Sequence, residues 1–527
     1  MILIPSAAYV EREFQIEYGA LPPTLLPIEN LRLYELQIDT LKTQFPEENI
    51  YISLPLGYKL NRHDQIKLKS LKVSVIYHQE DVSLGCSIYK SIVDAALTEQ
   101  KLIICHGDTL VTKFSSNMNS IGIGICKDEH QWQIDDRTKS DDHVWCGYFS
   151  FNTLNLFLEC LISSGYDFVD AVRLYDINVP LQRDLITHWY DFGHLSTYFQ
   201  SRSKLTTERS FNTLNVEDGR VIKSGLPLQK IRAEHAWYSR LSDDLLVYSP
   251  QLTKRKYGHK DNPESYQTEF LPLPPLNEVF VHGRNSERYW RIIFSLIDKF
   301  LCTAKRQKFP KNNYDKIIKS SKCMIEKKPL DRLEEYISSG GTFGLSADNK
   351  LNGESLPSIY EIVDSCVQLL ADKDFVIGEF HGDLCLSNIL YDSRTQRIKV
   401  VDPRGLDYDG FETNFGDLTY DVAKLTHSVI GLYDHIISGA YKLEISETLS
   451  STNIEFDIYY DRNIENIQKV FKSQIFMGDV NFDSVMPQTI LLFISMVPLH
   501  SDRPDRQFAF LANALRLYSK YIKGKHT

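Results

Sequence analysis

Apolar and polar positions over the first 200 residues repeat with two alternating periods. Short β-rich runs, ILIPSA at 2–7, IYISLPL at 50–56, VSVIY at 73–77 and KLIICHGD at 101–108, are separated by helically spaced stretches near 31–44 and 86–99. Strands alternating with helices of this length predict a mostly parallel, three-layer α/β (Rossmann-like) sheet. Ligands of such sheets collect at the carboxyl ends of the strands. The ends of ILIPSA and LIICHGD are therefore the positions to watch.

The pattern changes after SRSKLTTERS, 201–210, a polar and hydroxyl-rich stretch that reads as a domain junction. FNTLNVEDGRVIKSG, 211–225, sets a D-G turn between apolar strands and predicts a hairpin. QKIRAEHAWYSRL, 229–241, has helical spacing, and SSGGTFGLSADNKLNGESLP, 338–357, reads as a long loop. The segment VIGEFHGDLCLSNILYDSRTQRIKVVDPRG, 376–405, predicts strand, loop, hairpin and turn, and from GDLTYDVAKL at 416–425 onward the chain predicts a large, aromatic-rich helical lobe. The expected domains are 1–205 and 206–527, the second an α+β domain with a small lobe at 206–280 and a large lobe at 281–527.

With 527 residues, 43% of them hydrophobic, the chain has material for more than one core. A net charge of −10 argues against a general nucleic-acid binder, because no basic surplus offsets phosphate repulsion. Nine cysteines lack C-x-x-C pairing and fit a reducing, cytoplasmic setting. The opening MILIPSAAYVEREF meets Glu11 and Glu13 with no basic stretch before its apolar run, so no signal peptide is expected, and no apolar run is long enough for a transmembrane helix.

Candidate chemistry concentrates in HGDLCLSN, 381–388. Phosphoryl transfer needs a carboxylate to receive the acceptor proton and oxygen ligands to hold Mg²⁺ against the phosphates. Asp383 stands third in an H-x-D-x-x-x-x-N loop, Asn388 follows at metal-ligand spacing, and Asp402 ends the β-branched run IKVVD. Each alone would read as a turn or cap residue. In register between two apolar strands, they read as a site.

HGDLCLSNIL, VDPRG and GDLTYDVAKL together resemble the aminoglycoside and choline phosphotransferase family, which has the protein-kinase-like fold. Gly382 and Pro403 stand where protein kinases carry Arg and Phe, which favours a small-molecule acceptor. The resemblance implies ATP-dependent phosphorylation of a small hydroxyl compound, a sugar or polyol, with Asp383 as base and Asn388 and Asp402 as Mg²⁺ ligands. Lys223 and, eleven positions on, Glu234 match the kinase ion pair that holds the ATP phosphates. No complete G-x-G-x-x-G is present, so Ser210 to Asn212 would cover the phosphates. Thr268, Glu269, Phe270 and Leu271 fall where the hinge would meet adenine. Asp417 reads as a helix cap and Asp421 as a packing anchor.

The N-terminal part, through LGCSIYKSIVDA, LIICHGDTLV, VWCGYFSFN and HWYDFGHLSTYFQSR, resembles the sugar-phosphate nucleotidyltransferases. The resemblance implies a Mg²⁺ site at Asp108 and Asp191, a nucleobase backed by Gly85, a sugar beside Gly147, and a second NTP as substrate. One signature departs: the region PSAAYVEREFQIEYGALPPTLLPI keeps only Gly19, carries three glutamates, and has Thr24 where a phosphate-binding Lys belongs. The pair of resemblances implies a bifunctional enzyme that feeds capsule or lipopolysaccharide assembly. The alternative is an active kinase fused to a degenerate domain that binds a sugar nucleotide and regulates.

Overall fold

A computed structural model describes residues 1–80, 82–95, 101–114, 119–126, 132–138, 142–205, 212–253, 264–309, 313–345, 349–447 and 452–524. The chain forms two compact units, Met1–Leu205 with His282–Arg284, and Thr206–Val281 with Asn285–Thr527. No helix of the described residues is long and apolar enough to cross a membrane.

The first unit is α/β. In chain order its main elements are β1 (Ile2–Pro5), α1 (Arg12–Tyr18), α2 (Leu33–Gln44), β2 (Ile50–Pro55), α3 (Arg62–Ser70), β3 (Val73–His78), α4 (Leu84–Asp94), β4 (Leu102–Cys105), β5 (Thr109–Val111), β6 (Ser120–Ile125), β7 (His143–Phe151), α5 (Leu154–Ser163), α6 (Phe168–Asn178), β8 (Gln182–Leu185), β9 (Trp189–Asp191) and α7 (Leu195–Lys204). Seven strands make one sheet in the order β8-β6-β7-β4-β1-β2-β3. Pairings β1 with β2 and β4, β2 with β3, and β8 with β6 are parallel; β7 runs antiparallel to both β4 and β6. The central strands β1 and β4 are buried at every position, which is why they read as unbroken apolar runs. Their core gathers Leu3, Ile104, Phe149, Phe151, Phe157 and Tyr175, with the Phe151 and Phe157 rings stacked at 4.0 Å.

The second unit is α+β. A three-stranded antiparallel sheet, β10 (Asn212–Glu217), β11 (Arg220–Gly225) and β12 (Ser265–Glu269), carries the helix α8 (Leu228–Ser239). The larger part contains α9 (Glu287–Lys305), α10 (Tyr314–Glu326), α11 (Lys328–Ser338), α12 (Ile359–Leu369), β13 (Ile377–Glu379), β14 (Ile389–Asp392), β15 (Arg397–Val400), β16 (Phe415–Asp417), α13 (Leu418–Val429), α14 (Met486–Met496) and α15 (Pro504–Tyr521). Every residue of α13 is buried, so this helix is the axis on which the loop between β13 and β14 rests. The stretch 338–357, expected as loop throughout, contains the hairpin Asn349–Leu351 and Glu354–Leu356, which pairs further with Thr452–Ile458.

Candidate active sites

In the second unit, the loop from Phe380 to Asn388 is fixed from below by α13. Asp417 caps that helix, accepting the Thr419 N–H at 3.1 Å, and Asp421 in its first turn accepts the N–H groups of His381 at 2.9 Å and Gly382 at 2.8 Å. Gly382 has φ +76°, and a Cβ there would lie 2.8 Å from the Arg404 Cβ. Backbone conformation and space together select glycine where protein kinases hold arginine.

His381 is fully buried, and burial pushes its pKa down to about 4, so the ring is neutral. Its Nε2 lies 2.9 Å from the Val401 carbonyl, which makes Nε2 the protonated nitrogen; Nδ1 then accepts the Asp383 N–H at 3.3 Å. One imidazole thus ties the loop of Asp383 to the turn of Asp402. A second tie is the Val401 N–H donated to the Asn388 carbonyl at 2.9 Å.

The Asn388 amide donates through Nδ2 to the Asp383 carbonyl at 2.9 Å, which turns its Oδ1 away from that residue, where the Ser387 hydroxyl reaches it at 3.4 Å. Asp402 sits at φ +57°, a left-handed conformation unusual for a residue with a Cβ, and its N–H faces the Tyr238 hydroxyl at 3.3 Å. Gly405, at φ +64°, leaves no room for a side chain: a Cβ would collide with the carbonyl of Ala233 in α8.

Lys223 of β11 and Glu234 of α8 meet at 2.8 Å, and the same ammonium lies 2.8 Å from Asp402 Oδ1. The Tyr266 hydroxyl donates to Glu234 Oε2 at 2.7 Å. Burial works against the Lys223 charge, but Asp402 and Glu234 outweigh it and hold the ammonium protonated. Burial raises the Glu234 pKa, and Asp402, competing for the same ammonium, adds to the rise against the pull of Lys223.

Asp383 has a partner that sequence reasoning missed. Lys424 of α13 lies 2.8 Å from its Oδ1. Burial pushes the Asp383 carboxyl up, yet the Lys424 charge more than reverses this and holds it well below the usual carboxylate range. Lys424 was legible only as one polar position among several on this helix. Nothing in its spacing from the H-x-D motif pointed to the contact, which depends on how α13 packs.

Other expected residues fare differently. Ser210 lies outside the described residues, and Asn212 opens β10 opposite Gly225. In the run expected to meet adenine, the Glu269 N–H donates to the Gln251 carbonyl and the Phe270 N–H to the Gly219 carbonyl, at 2.9 and 2.8 Å. Phe270 continues the hydrogen-bonding line of β12, so its amide points into the sheet.

In the first unit, Asp108, Asp191, Gly85 and Gly147 line one cavity of about 380 Å³. β4 ends at Cys105, and the turn behind it is anchored by the Gly107 N–H to the Pro5 carbonyl at 3.1 Å. Asp191 follows from the pairing of β9 with β5, which sets it opposite Thr109, beside Asp108. The two carboxylates converge: a Cβ on Gly193 would lie 2.9 Å from Asp108 Oδ2 and 3.4 Å from Asp191 Oδ1. Burial first, and the charge of Asp191 second, push Asp108 up to about 6. Asp191 accepts the Thr197 hydroxyl, and His194 Nδ1 lies 3.3 Å away, its pKa raised by that carboxylate.

Thr24 does not reach toward a phosphate. It is buried and donates to Gln37 Oε1 at 2.8 Å, while Gln37 Nε2 donates to the Thr109 carbonyl at 2.7 Å. Through Gln37, Thr24 therefore braces the start of β5, next to Asp108. Within the region that departs from the signature, Arg12–Tyr18 folds as α1, with Gly19 at its C-terminal cap with φ +78°. Gly85 opens α4 and is required by packing, since a Cβ would collide with the Tyr166 carbonyl; at Gly147, φ +81°, a Cβ would lie 2.7 Å from Thr109 Oγ1. Trp132, Trp145, Trp189 and His106 also line the cavity and were not anticipated. Trp132 stands edge-on to Trp189 at 5.5 Å and to His194 at 5.2 Å.

Among the described residues no group of three or more His, Cys, Asp or Glu side chains could hold a metal ion. Asn388 and Asp402 in the second unit, and Asp108 and Asp191 in the first, carry oxygen donors of the hard kind. This donor chemistry fits Mg²⁺, which keeps waters and substrate phosphates in its shell.

No protein-family model matches the chain, and no curated protein matches it. Solved structures similar to it include proteins of two kinds. A nucleoside-diphosphate-sugar pyrophosphorylase from Vibrio cholerae RC9 is 16% identical over 38% of this chain and 99% of its own, with a TM-score of 0.31. A choline/ethanolamine kinase family protein from Mesorhizobium loti is 12% identical over 60% of this chain and 87% of its own, with a TM-score of 0.34. Choline kinase LicA from Streptococcus pneumoniae is 14% identical over 60% and 91%, with a TM-score of 0.32.

Proposed function

We propose that the chain is a bifunctional, cytoplasmic enzyme. Its second unit, residues 206–527, transfers the γ-phosphoryl group of ATP to a hydroxyl of a sugar or polyol. Its first unit, 1–205, joins a nucleotide to the phosphorylated product, giving an activated donor of the kind that capsule or lipopolysaccharide assembly consumes. The observation that carries the reading is Lys223 bridging Glu234 and Asp402, with His381 tying that turn to the loop of Asp383 and Asn388.

In the kinase step Lys223 holds the α- and β-phosphates and Glu234 holds Lys223. Asp383 receives the acceptor proton as the acceptor oxygen bonds to the γ-phosphorus, and the bond to the β-γ bridging oxygen breaks to release ADP. Asn388 and Asp402 would hold Mg²⁺, which when bound neutralises phosphate charge. In the first unit Asp108 and Asp191 would hold Mg²⁺ while a phosphate oxygen of the kinase product attacks the α-phosphorus of an NTP and pyrophosphate leaves.

A second reading has one observation in its favour. The described residues lining the first unit's cavity include no Lys or Arg, while Trp132, Trp145, Trp189 and Phe168 offer stacking surface. That lining suits an aromatic base or a sugar face better than a bare triphosphate, and supports a regulatory domain that binds a sugar nucleotide. The test is one series: protein with ATP, Mg²⁺ and a panel of sugars, polyols and amino alcohols, followed by ADP release; then the identified product with each of CTP, UTP, GTP, ATP and dTTP, followed by pyrophosphate release. ADP release without pyrophosphate release, together with calorimetric binding of a sugar nucleotide, selects the second reading.

A further inference from the structure

Cations accumulate on one side of Asp383 beyond what that carboxylate neutralises. Tyr420 and Lys424 lie one turn apart on α13 and so share a face. Lys424 is committed to Asp383 at 2.8 Å. Lys328, at the start of α11, brings its Nζ within 3.1 Å of the Tyr420 hydroxyl, which uses one of its three N–H donors. Among the described residues no carboxylate lies within 4.0 Å of Lys328, and none within that distance of Arg404, whose Nε donates to the Leu406 carbonyl at 3.0 Å and whose Cβ packs against Gly382. Arg332 adds charge but is paired with Glu335 at 2.6 Å. Burial, then the charges of Arg404, Lys424 and Arg332, push the Lys328 pKa well below its usual value, with Asp383 acting the other way.

Half-buried cations left without counter-charge cost free energy unless a ligand supplies the charge. ATP cannot do so here if its phosphates are held by Lys223. We infer that the hydroxyl acceptor is itself an anion, bearing a carboxylate or a phosphomonoester that sits against Lys328 and Arg404 and presents its hydroxyl to Asp383. The inference rests on the kinase reading of this unit and narrows it. It disfavours a quaternary ammonium acceptor, which would meet the same charges with the wrong sign.

Matched acceptors test it: glycerol, D-glycerate and glycerol 3-phosphate, and D-glucose, D-gluconate and glucose 6-phosphate, each with Mg·ATP and the full chain, read by ADP release. The anionic member of a series is expected to exceed the neutral one at least about tenfold in kcat/KM, as one charge-assisted contact allows. The ratio should collapse toward one in Lys328→Met and return in Lys328→Arg, and the carboxylate and phosphate arms say which group is taken. Faster turnover of the neutral members leaves the kinase reading standing and overturns this inference, as does an unchanged ratio in both Lys328→Met and Arg404→Met. If no acceptor gives ADP, the kinase reading loses its support, and calorimetry with inorganic phosphate and with D-glycerate decides the anion site alone. Binding abolished by Lys328→Met upholds it, and no binding to the wild-type chain overturns it.

Discussion

Lys223 Nζ stands 2.8 Å from Asp402 Oδ1 while it is also 2.8 Å from Glu234, so one ammonium joins the small sheet, its helix and the turn after β15. Phosphates arriving with Mg²⁺ would take Asp402 from Lys223 and replace it. Asp402→Ala should therefore lower kinase kcat at least ~10²-fold, and Asp383→Asn ~10² to 10⁴-fold, measured in folded protein. Turnover near wild type in either variant removes that residue from the site.

Glu234→Gln keeps the shape and the Tyr266 contact but removes the charge that fixes Lys223. Loss of one charge-assisted pair predicts kcat/KM for ATP lower by roughly ten- to a hundredfold, with the circular dichroism spectrum and melting profile retained. Steady-state ATP kinetics check it, and unchanged kinetics would show that the pairing has no role in nucleotide use.

Lys424→Met should change the pH profile. The wild-type carboxyl of Asp383 is held below the ordinary range, so it is ionised through neutral and mildly acidic pH; the stability its pairing gives is present above the unfolded value of about 3.9 and is lost as pH falls through the folded one. Lys424 is raised, so its share is present below about 10.4 and lost as pH rises through the folded value. Without the cation, burial acts on Asp383 against only the weaker pull of His381 and Lys230. The acidic limb of kcat/KM should move upward in the variant, and a limb that stays in place contradicts the assignment of that limb to Asp383.

Asp108→Ala should abolish Mg²⁺-dependent pyrophosphate release while ADP release by the second unit continues. Losing one of two oxygen ligands to a metal that neutralises a triphosphate predicts a fall of at least ~10²-fold. Retained nucleotidyl transfer in this variant would place the first unit's chemistry elsewhere.

Much of this was legible in sequence because it is local. The H-x-D-x-x-x-x-N loop, the IKVVD strand end and the cap at Asp417 each lie within one short window, and the β-rich runs at 2–7 and 101–108 contain the fully buried strands β1 and β4. The reversed direction of β7 was not legible, since a nine-residue apolar strand looks the same either way and only its neighbours β4 and β6 decide. Lys424 and Lys328 escaped notice because their meaning depends on how α11 and α13 pack against a loop distant in sequence. Thr24, which seemed a failed phosphate ligand, has its own task in holding Gln37.

Gly405 gives the proposed nucleotide site a particular kind of heritability. Its α-carbon rests on the carbonyl of Ala233, next to Glu234, and it follows Asp402 by three residues. A side chain at 405 would displace α8 and the turn of Asp402 in the same motion, so the lysine clamp and the ligand turn cannot be adjusted one at a time. Variation in how the proposed kinase site handles its nucleotide would have to arise as paired changes on both sides of that contact.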